Sequence, residues 1–283
     1  MIKAGQNPFL DKGVWSKLAR RDDDIIIATY AKFGRLRMQV MIDQLLSASG
    51  DPHAYGRDLP WVELRHPRSN ERITRLNQAP YRRILRTHLT ADNIYTDKGK
   101  YIYVGRDPRD LVWNLFHVLK KVPVNWQAHF AQYGFAQQQT AQSFVAFWNG
   151  WIENDGLPFW PYFNQVQSWW KHRKKENVLF LHFLDFRDDM AGSLAKIADF
   201  LDVQLPQNIE QSVTGAHSFN HISQSSLMTE DISSPMWNGG AVDLPISQMG
   251  WDKHLGQRHE AKLIAKLTAS IGEEGAQWVR FGS

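Results

Sequence analysis

Three acidic residues, Asp22, Asp23 and Asp24, run into the apolar, largely β-branched stretch IIIATY at 25–30. An unbroken apolar run bounded by charge predicts a strand buried on both faces, as in a parallel sheet. After AKFGR, apolar residues recur at Leu36, Met38, Met41, Ile42, Leu45 and Leu46, the spacing of one helix face. Residues 25–48 therefore read as strand, Gly-containing loop and helix. The pattern returns along the chain. YRRILRTHL (81–89) reads as a strand ending at His88, and KYIYVGRDPRDLVWNLFHVLKK (100–121) as strand, polar turn and helix. NVLFLHFLDF (177–186) reads as another strand. DDMAGSLAKIADFLDV (188–203) reads as a helix with Met190, Leu194, Ile197, Phe200 and Leu201 on one face.

Alternating strands and helices predict an α/β fold in three layers, a central parallel sheet flanked by helices. Residues 122–176 are aromatic and read as largely helical, while 204–260 are polar, loop-rich and a candidate lid. With no internal repeat and no Pro/Gly/Ser-rich linker, residues 1–283 are expected to form a single domain.

Composition narrows the function. Cys is absent, which removes disulfides and thiolate chemistry and fits a reducing compartment. The start shows no apolar leader and no run is long enough to span a membrane, so a cytoplasmic protein is expected. The net charge of +4 suits an anionic ligand, but a slightly basic solvated surface would read the same. KHRKK (171–175) is the one dense basic cluster, and its place before a strand predicts a helix end rather than a nucleic-acid site. No nucleic-acid motif is present. His117, His182 and His254 lack metal-site spacing and read as structural or surface residues, so no metal is expected. Asp185 and Asp188 read as belonging to a loop and a helix start. Twelve Trp residues allow two readings. Trp113, Trp148, Trp151, Phe159, Trp160 and Trp169 either line an apolar acceptor pocket or form a packed aromatic layer.

Three segments carry candidate chemistry. TYAKFGR (29–35) places a Gly-containing turn between strand and helix. Backbone N–H groups at a helix N-terminus bind anions there, and Lys32 adds a full charge. YVGRDPRD (103–110) sets Arg106 at a strand's carboxyl end, where open parallel sheets bind ligands. Arg106 could fork onto a phosphate, or pair with Asp107 or Asp110. RTH (86–88) ends a neighbouring strand on His88, a candidate general base.

Together TYAKFGR, RTHL, KYIYVGRDPRDLVW and NVLFLHFLDFRDDMAGSLAKIADFL resemble the cytosolic-type sulfotransferases that use 3′-phosphoadenosine 5′-phosphosulfate. GLPFWPYFNQVQSWW is similar to a bacterial branch of that family. The resemblance implies transfer of a sulfuryl group to a hydroxyl of a small molecule, aromatic or lipid-like, with no metal. It implies that Lys32 contacts the bridging oxygen and the sulfuryl group, that Gly34 lets the backbone approach the 5′-phosphate, and that His88 takes the acceptor's proton. Arg86, where the family usually has Lys, would stabilise charge on the transferring group. Arg106 would hold the 3′-phosphate, and Phe219 would pack on adenine.

The cofactor site departs from the family pattern. A loop that usually reads like TYPKSGTTW is TYAKFGRLR here. Ser becomes Phe33, two Thr become Arg35 and Leu36, and the adenine-stacking Trp becomes Arg37. Hydroxyl donors are replaced by arginines that can compensate only electrostatically. Asn114 stands eight residues after Arg106 in place of Ser and keeps a donor. A late Arg-Lys-Gly loop is not recognisable, and Gly250, Trp251 and Lys253 keep a trace of the ending that follows it. The alternatives are an enzyme of the same fold with another donor or reaction, and a non-catalytic relative that binds an anion or a partner. Oligomeric state is not legible.

Overall fold

A computed structural model describes residues 10–30, 35–50, 60–64, 68–120, 142–156, 160–205 and 250–282. Four parallel strands form its sheet: β1 (Ile25–Thr29), β2 (Ile84–Thr87), β3 (Lys100–Gly105) and β4 (Val178–His182), in the order β2-β1-β3-β4. The register sets Ile25 opposite Ile84 and Lys100, and Tyr101 opposite Val178. The chain first steps from β1 to β2 on one side, then crosses to β3 on the other. The order therefore reverses between the carboxyl ends of β1 and β3, the place where open α/β sheets bind ligands.

All five residues of β1 are buried, because helices cover both faces. Ile25 and Ile27 join one core with Met38, Ile42 and Leu45 of α2 (Arg35–Ala48). Ile26 and Ala28 point into the larger aromatic core on the opposite face. Alternate side chains of one strand thus feed two layers, and an apolar run without polar alternation is what that requires. Among the described residues the other helices are α1 (Val14–Lys17), α3 (Ser69–Gln78), α4 (Ala91–Ile94), α5 (Pro108–Lys120), α6 (Phe144–Glu153) and α7 (Tyr162–Trp170). They are followed by α8 (Phe183–Asp188), α9 (Met190–Leu201) and α10 (Gln257–Phe281).

The end of the sheet opposite the site is pinned electrostatically. Arg83 Nε and Nη2 donate to the two oxygens of Asp24, each at 2.6 Å, with both side chains about 1% exposed. A bidentate pair satisfies both partners, so neither charge is left alone in the interior.

The readings of 177–186 and of Asp185 and Asp188 are corrected. The predicted strand over 177–186 stops at His182, and Phe183–Asp188 is helix. A capping box causes the switch: His182 Nδ1 accepts the Leu184 amide, and Asp185 reaches back to accept the His182 amide at 3.1 Å. Asp185 is thus a cap partner inside the first turn, and Asp188 ends α8 paired with Arg187; the start of α9 is capped by Asp189. At the described end of the segment read as loop-rich, a short 3-10 turn (Trp251–Lys253) leads into α10 at Gln257. Residues 206–249 lie outside the described residues. The helix end expected at KHRKK is present, since α7 closes at Trp170 with Lys171 as its C-cap.

α10 is two arms. Gly272 has φ +76°, a conformation that costs glycine little. Glu260 and Arg280 lie 20 residues apart yet pair at 2.5 Å. A straight helix would separate them by about 30 Å, so the second arm folds back on the first. That arm lays Trp278 over Gly105 and Val279 against the carboxyl end of β3.

Candidate functional site

At the reversal between β1 and β3 lies a small cleft lined by Thr29, Tyr30, Gly105, Arg106, Tyr162 and Val279 among others. Gly105 is required for its wall. A Cβ there would lie 2.6 Å from Trp278 Cζ3 and nearer still to Cη2.

His88 follows β2 directly and is 1% exposed. Its Nδ1 lies 2.7 Å from the Thr29 carbonyl oxygen and 3.3 Å from Thr29 Oγ1. A carbonyl can only accept, so Nδ1 carries the proton and the ring's lone pair sits on Nε2. Two indoles fix the ring plane. Trp160 stacks on it at 5.2 Å and 11°, and Trp61 meets it edge-on at 4.8 Å. Trp160 is itself clasped to the end of β1: its Nε1 donates to the Tyr30 carbonyl, and Tyr30 Oη donates to the Trp160 carbonyl at 2.7 Å.

Beneath His88 is a residue that sequence reasoning missed. Glu63 is 0% exposed. Its Oε1 accepts the His88 backbone amide at 2.7 Å and Trp61 Nε1 at 2.7 Å, and Oε2 accepts Trp15 Nε1 at 2.8 Å. Burial pushes its carboxyl above the ordinary range, while these N–H donors pull it back. A single acid in LPWVELRHP has neither periodicity nor a partner at regular spacing, so nothing local marks it.

Arg106 reaches from the end of β3 and turns Nε and Nη2 to Asp110, Nε at 2.7 Å. Its guanidinium also lies 4.2 Å from the Phe183 ring centroid. Of the two partners considered from sequence, Asp110 is therefore the one used, and Asp107 pairs with Arg109 at 2.6 Å. A guanidinium carries five donors, and the Asp110 contact orients its fork. Asn114 spends one amide N–H on the Asp110 carbonyl at 2.8 Å. Arg86 is 7% exposed, on β2 beside Ile27, with its guanidinium 5.9 Å from the Trp61 ring centroid. Arg35, Leu36 and Arg37 form the first turn of α2, but their side chains, like Lys32, Gly34 and Phe219 altogether, lie outside the described residues.

The tryptophans divide. Trp148, Trp151 and Trp169 are at most 1% exposed and belong to the aromatic core. Trp148 and Trp151 stack at 5.8 Å. Trp160 stands at His88, and partly buried Trp113 stacks on His254 at 5.2 Å. Phe159 lies outside the described residues. His182 is structural: Nε2 donates to the Val279 carbonyl at 3.0 Å, and burial lowers its pKa. Among the described residues, no helix is long and apolar enough to cross a membrane, and no three His, Cys, Asp or Glu residues are grouped to hold a metal.

A parallel sheet that carries an arginine and a buried, oriented histidine at the carboxyl ends of its strands has the arrangement of an α/β enzyme that binds its ligand there. The family model for the sulfotransferase domain matches residues 22–243, and the chain belongs to that family. It is 27% identical over 223 residues to sulfotransferase 1 family member D1 of Mus musculus, covering 73% of this chain and 69% of the relative. To sulfotransferase 6B1 of Danio rerio it is 25% identical over 252 residues, covering 87% and 77%. Mouse sulfotransferase SULT7A1, solved in complex with PAP, superposes with a TM-score of 0.70 at 19% identity, covering 96% of this chain and 93% of that one. Retinol dehydratase, solved with androsterone and the inactive cofactor PAP, gives 0.63 at 17%, covering 92% and 83%. The chain is a sulfotransferase with the expected three-layer α/β fold.

Proposed function

We propose that this chain moves a sulfuryl group from 3′-phosphoadenosine 5′-phosphosulfate to a hydroxyl of a small apolar acceptor, with His88 as general base. The observation that carries the reading is the His88 tautomer. With Nδ1–H held by the Thr29 carbonyl, Nε2 is the atom able to take a proton. The acceptor's O–H proton passes to Nε2 as its oxygen bonds to sulfur. The bond from sulfur to the 5′-phosphate oxygen breaks, and its electron pair stays on that oxygen, leaving adenosine 3′,5′-bisphosphate. Charge growing on the leaving oxygen would be met by Lys32 and Arg86, since cations placed where charge develops lower the barrier.

Arg106 supports the nucleotide assignment, because it stands at the cleft with its fork pre-oriented by Asp110. Gly34 and the first turn of α2, with Arg35, Leu36 and Arg37, would receive the 5′-phosphate at a helix N-terminus. Asn114 would share the 3′-phosphate and Phe219 the adenine. PAP in the SULT7A1 and retinol dehydratase structures, and androsterone in the latter, support the same donor and an apolar acceptor for this chain. We also assign the chain to a single domain, to the bacterial branch its GLPFWPYF segment is similar to, and to the cytoplasm, which suits a chain without Cys.

The test is transfer of labelled sulfate from the nucleotide donor to a panel of phenols, sterols and long-chain alcohols. Turnover by the wild type that falls by roughly 10²–10⁴ in His88→Ala is expected, the usual contribution of a positioned base. Turnover unaltered in His88→Ala refutes the assignment of the base. Sulfation of the panel by an aryl sulfate donor but not by the nucleotide refutes the donor.

A further inference from the structure

We infer that Glu63 is a positioning residue for His88: a buried carboxylate that clamps the main chain of the base and the edge ring beside it. The inference rests on the reading of His88 as the base and adds the group that holds it in place. Glu63 Oε1 is shared by the His88 amide and Trp61 Nε1. Trp61 in turn meets the His88 ring edge-on, so one oxygen fixes both the backbone and one wall of the imidazole. The other oxygen is held by Trp15 Nε1, which anchors the carboxylate to α1. The His88 amide, Trp61 Nε1 and Trp15 Nε1 are all donor-only N–H groups, and among the described residues no cation pairs with Glu63. An ionised carboxylate, which only accepts, is the form those donors match.

The placement is costly, and that points to a role beyond packing. Burial works against the charged form here, and a neutral apolar residue of similar volume would avoid that cost. What the carboxylate supplies in exchange is rigidity at one point. The Thr29 carbonyl holds His88 from the ring side and Glu63 holds it from the backbone side. With both ends fixed, Nε2 has a defined direction. A shift of about 1 Å in a reacting group can cost roughly a hundredfold in rate. Glu63 touches neither donor nor acceptor in this reading and acts through His88.

The experiment compares two variants that each break one side of the clamp. Glu63→Gln keeps the shape, removes the charge and turns an N–H toward one of the former donors. Trp15→Phe removes only the donor on the far oxygen. Three quantities are read: kcat, the dissociation constant for adenosine 3′,5′-bisphosphate, and the downfield imidazole Nδ1–H proton signal, assigned by its loss in His88→Ala. The expected result for Glu63→Gln is a fall in kcat of about ten- to a hundredfold, nucleotide affinity unchanged within about twofold, and a Nδ1–H signal broadened by exchange with water. Trp15→Phe is expected to keep both kcat and the signal. Equal losses of kcat and signal in the two variants would mean that Glu63 merely ties α1 to the core, and would overturn the inference. So would a Glu63→Gln protein with wild-type kcat and a sharp Nδ1–H signal. If the wild type shows no sulfuryl transfer at all, the reading of the reaction fails, while the Nδ1–H signal still decides whether Glu63 positions His88.

Discussion

Gly105→Ala probes the wall between the sheet and the folded-back arm of α10. The added methyl would lie 2.6 Å from Trp278 Cζ3 and closer to Cη2, whereas carbon atoms pack at about 3.5–4.0 Å. The indole has to retreat by about 1 Å. It has little room, because its centroid lies 5.3 Å from Phe180, 5.4 Å from His182 and 5.6 Å from Trp170. Overpacking of this kind costs about 1–3 kcal/mol. At roughly 2–4 °C per kcal/mol for domains of 150–250 residues, Tm should fall by about 2–12 °C. Because Arg106 is the next residue, binding of adenosine 3′,5′-bisphosphate should weaken in the same variant. Gly150→Ala is the control: nothing lies within 4 Å of a Cβ there, and the residue is inside α6, so Tm should hold or rise, since Ala is favoured over Gly in a helix by about 0.5–1 kcal/mol. Differential scanning calorimetry reads both variants. A Gly105→Ala protein that melts with the wild type and binds nucleotide equally would refute the packing of Trp278 on β3.

Asp24→Ala strands the buried Arg83 guanidinium, and urea unfolding should show a loss of about 3–5 kcal/mol, with the stranded charge at the sheet end remote from the cleft. His182 has its pKa lowered by burial in the folded state. The unfolded chain therefore binds a proton first as pH falls below about 6.5, so stability present above that pH is lost on acidification toward the folded pKa. Urea midpoints measured from pH 7.5 to 5.5 should decline in the wild type, and more shallowly in His182→Gln. Tyr30→Phe removes the hydroxyl that holds the Trp160 carbonyl; it should cost about 1–3 kcal/mol for the unpaired buried acceptor, read by urea unfolding, and should lower kcat by loosening the ring stacked on His88.

The sheet was legible because each strand is short, apolar and bounded by charge, and parallel strands need no alternation to be recognised. His88 and Arg106 were legible for a related reason: both follow a strand directly, and strand ends in a parallel sheet converge on one edge. Residues 183–186 were misread as strand because they are as apolar as β4, and only the reciprocal His182–Asp185 cap distinguishes them. α10 went unread since its arms are partly polar and its fold-back depends on one glycine and a tertiary ion pair. Glu63 could not be found locally, because its partners are 2, 25 and 48 residues away. The aromatic layer was ambiguous by nature, since burial of Trp148 and Trp151 is a property of packing and not of spacing.

The central claim is that the cleft at the β1–β3 switch point binds the nucleotide through cations despite its altered loop. Titration calorimetry with adenosine 3′,5′-bisphosphate tests it, on the wild type, Lys32→Ala and Arg106→Ala. The account predicts saturable binding that each substitution weakens by about 1.5–3 kcal/mol, the worth of a charge-assisted contact. Absence of binding by the wild type at millimolar nucleotide, or binding that neither substitution changes, would contradict it.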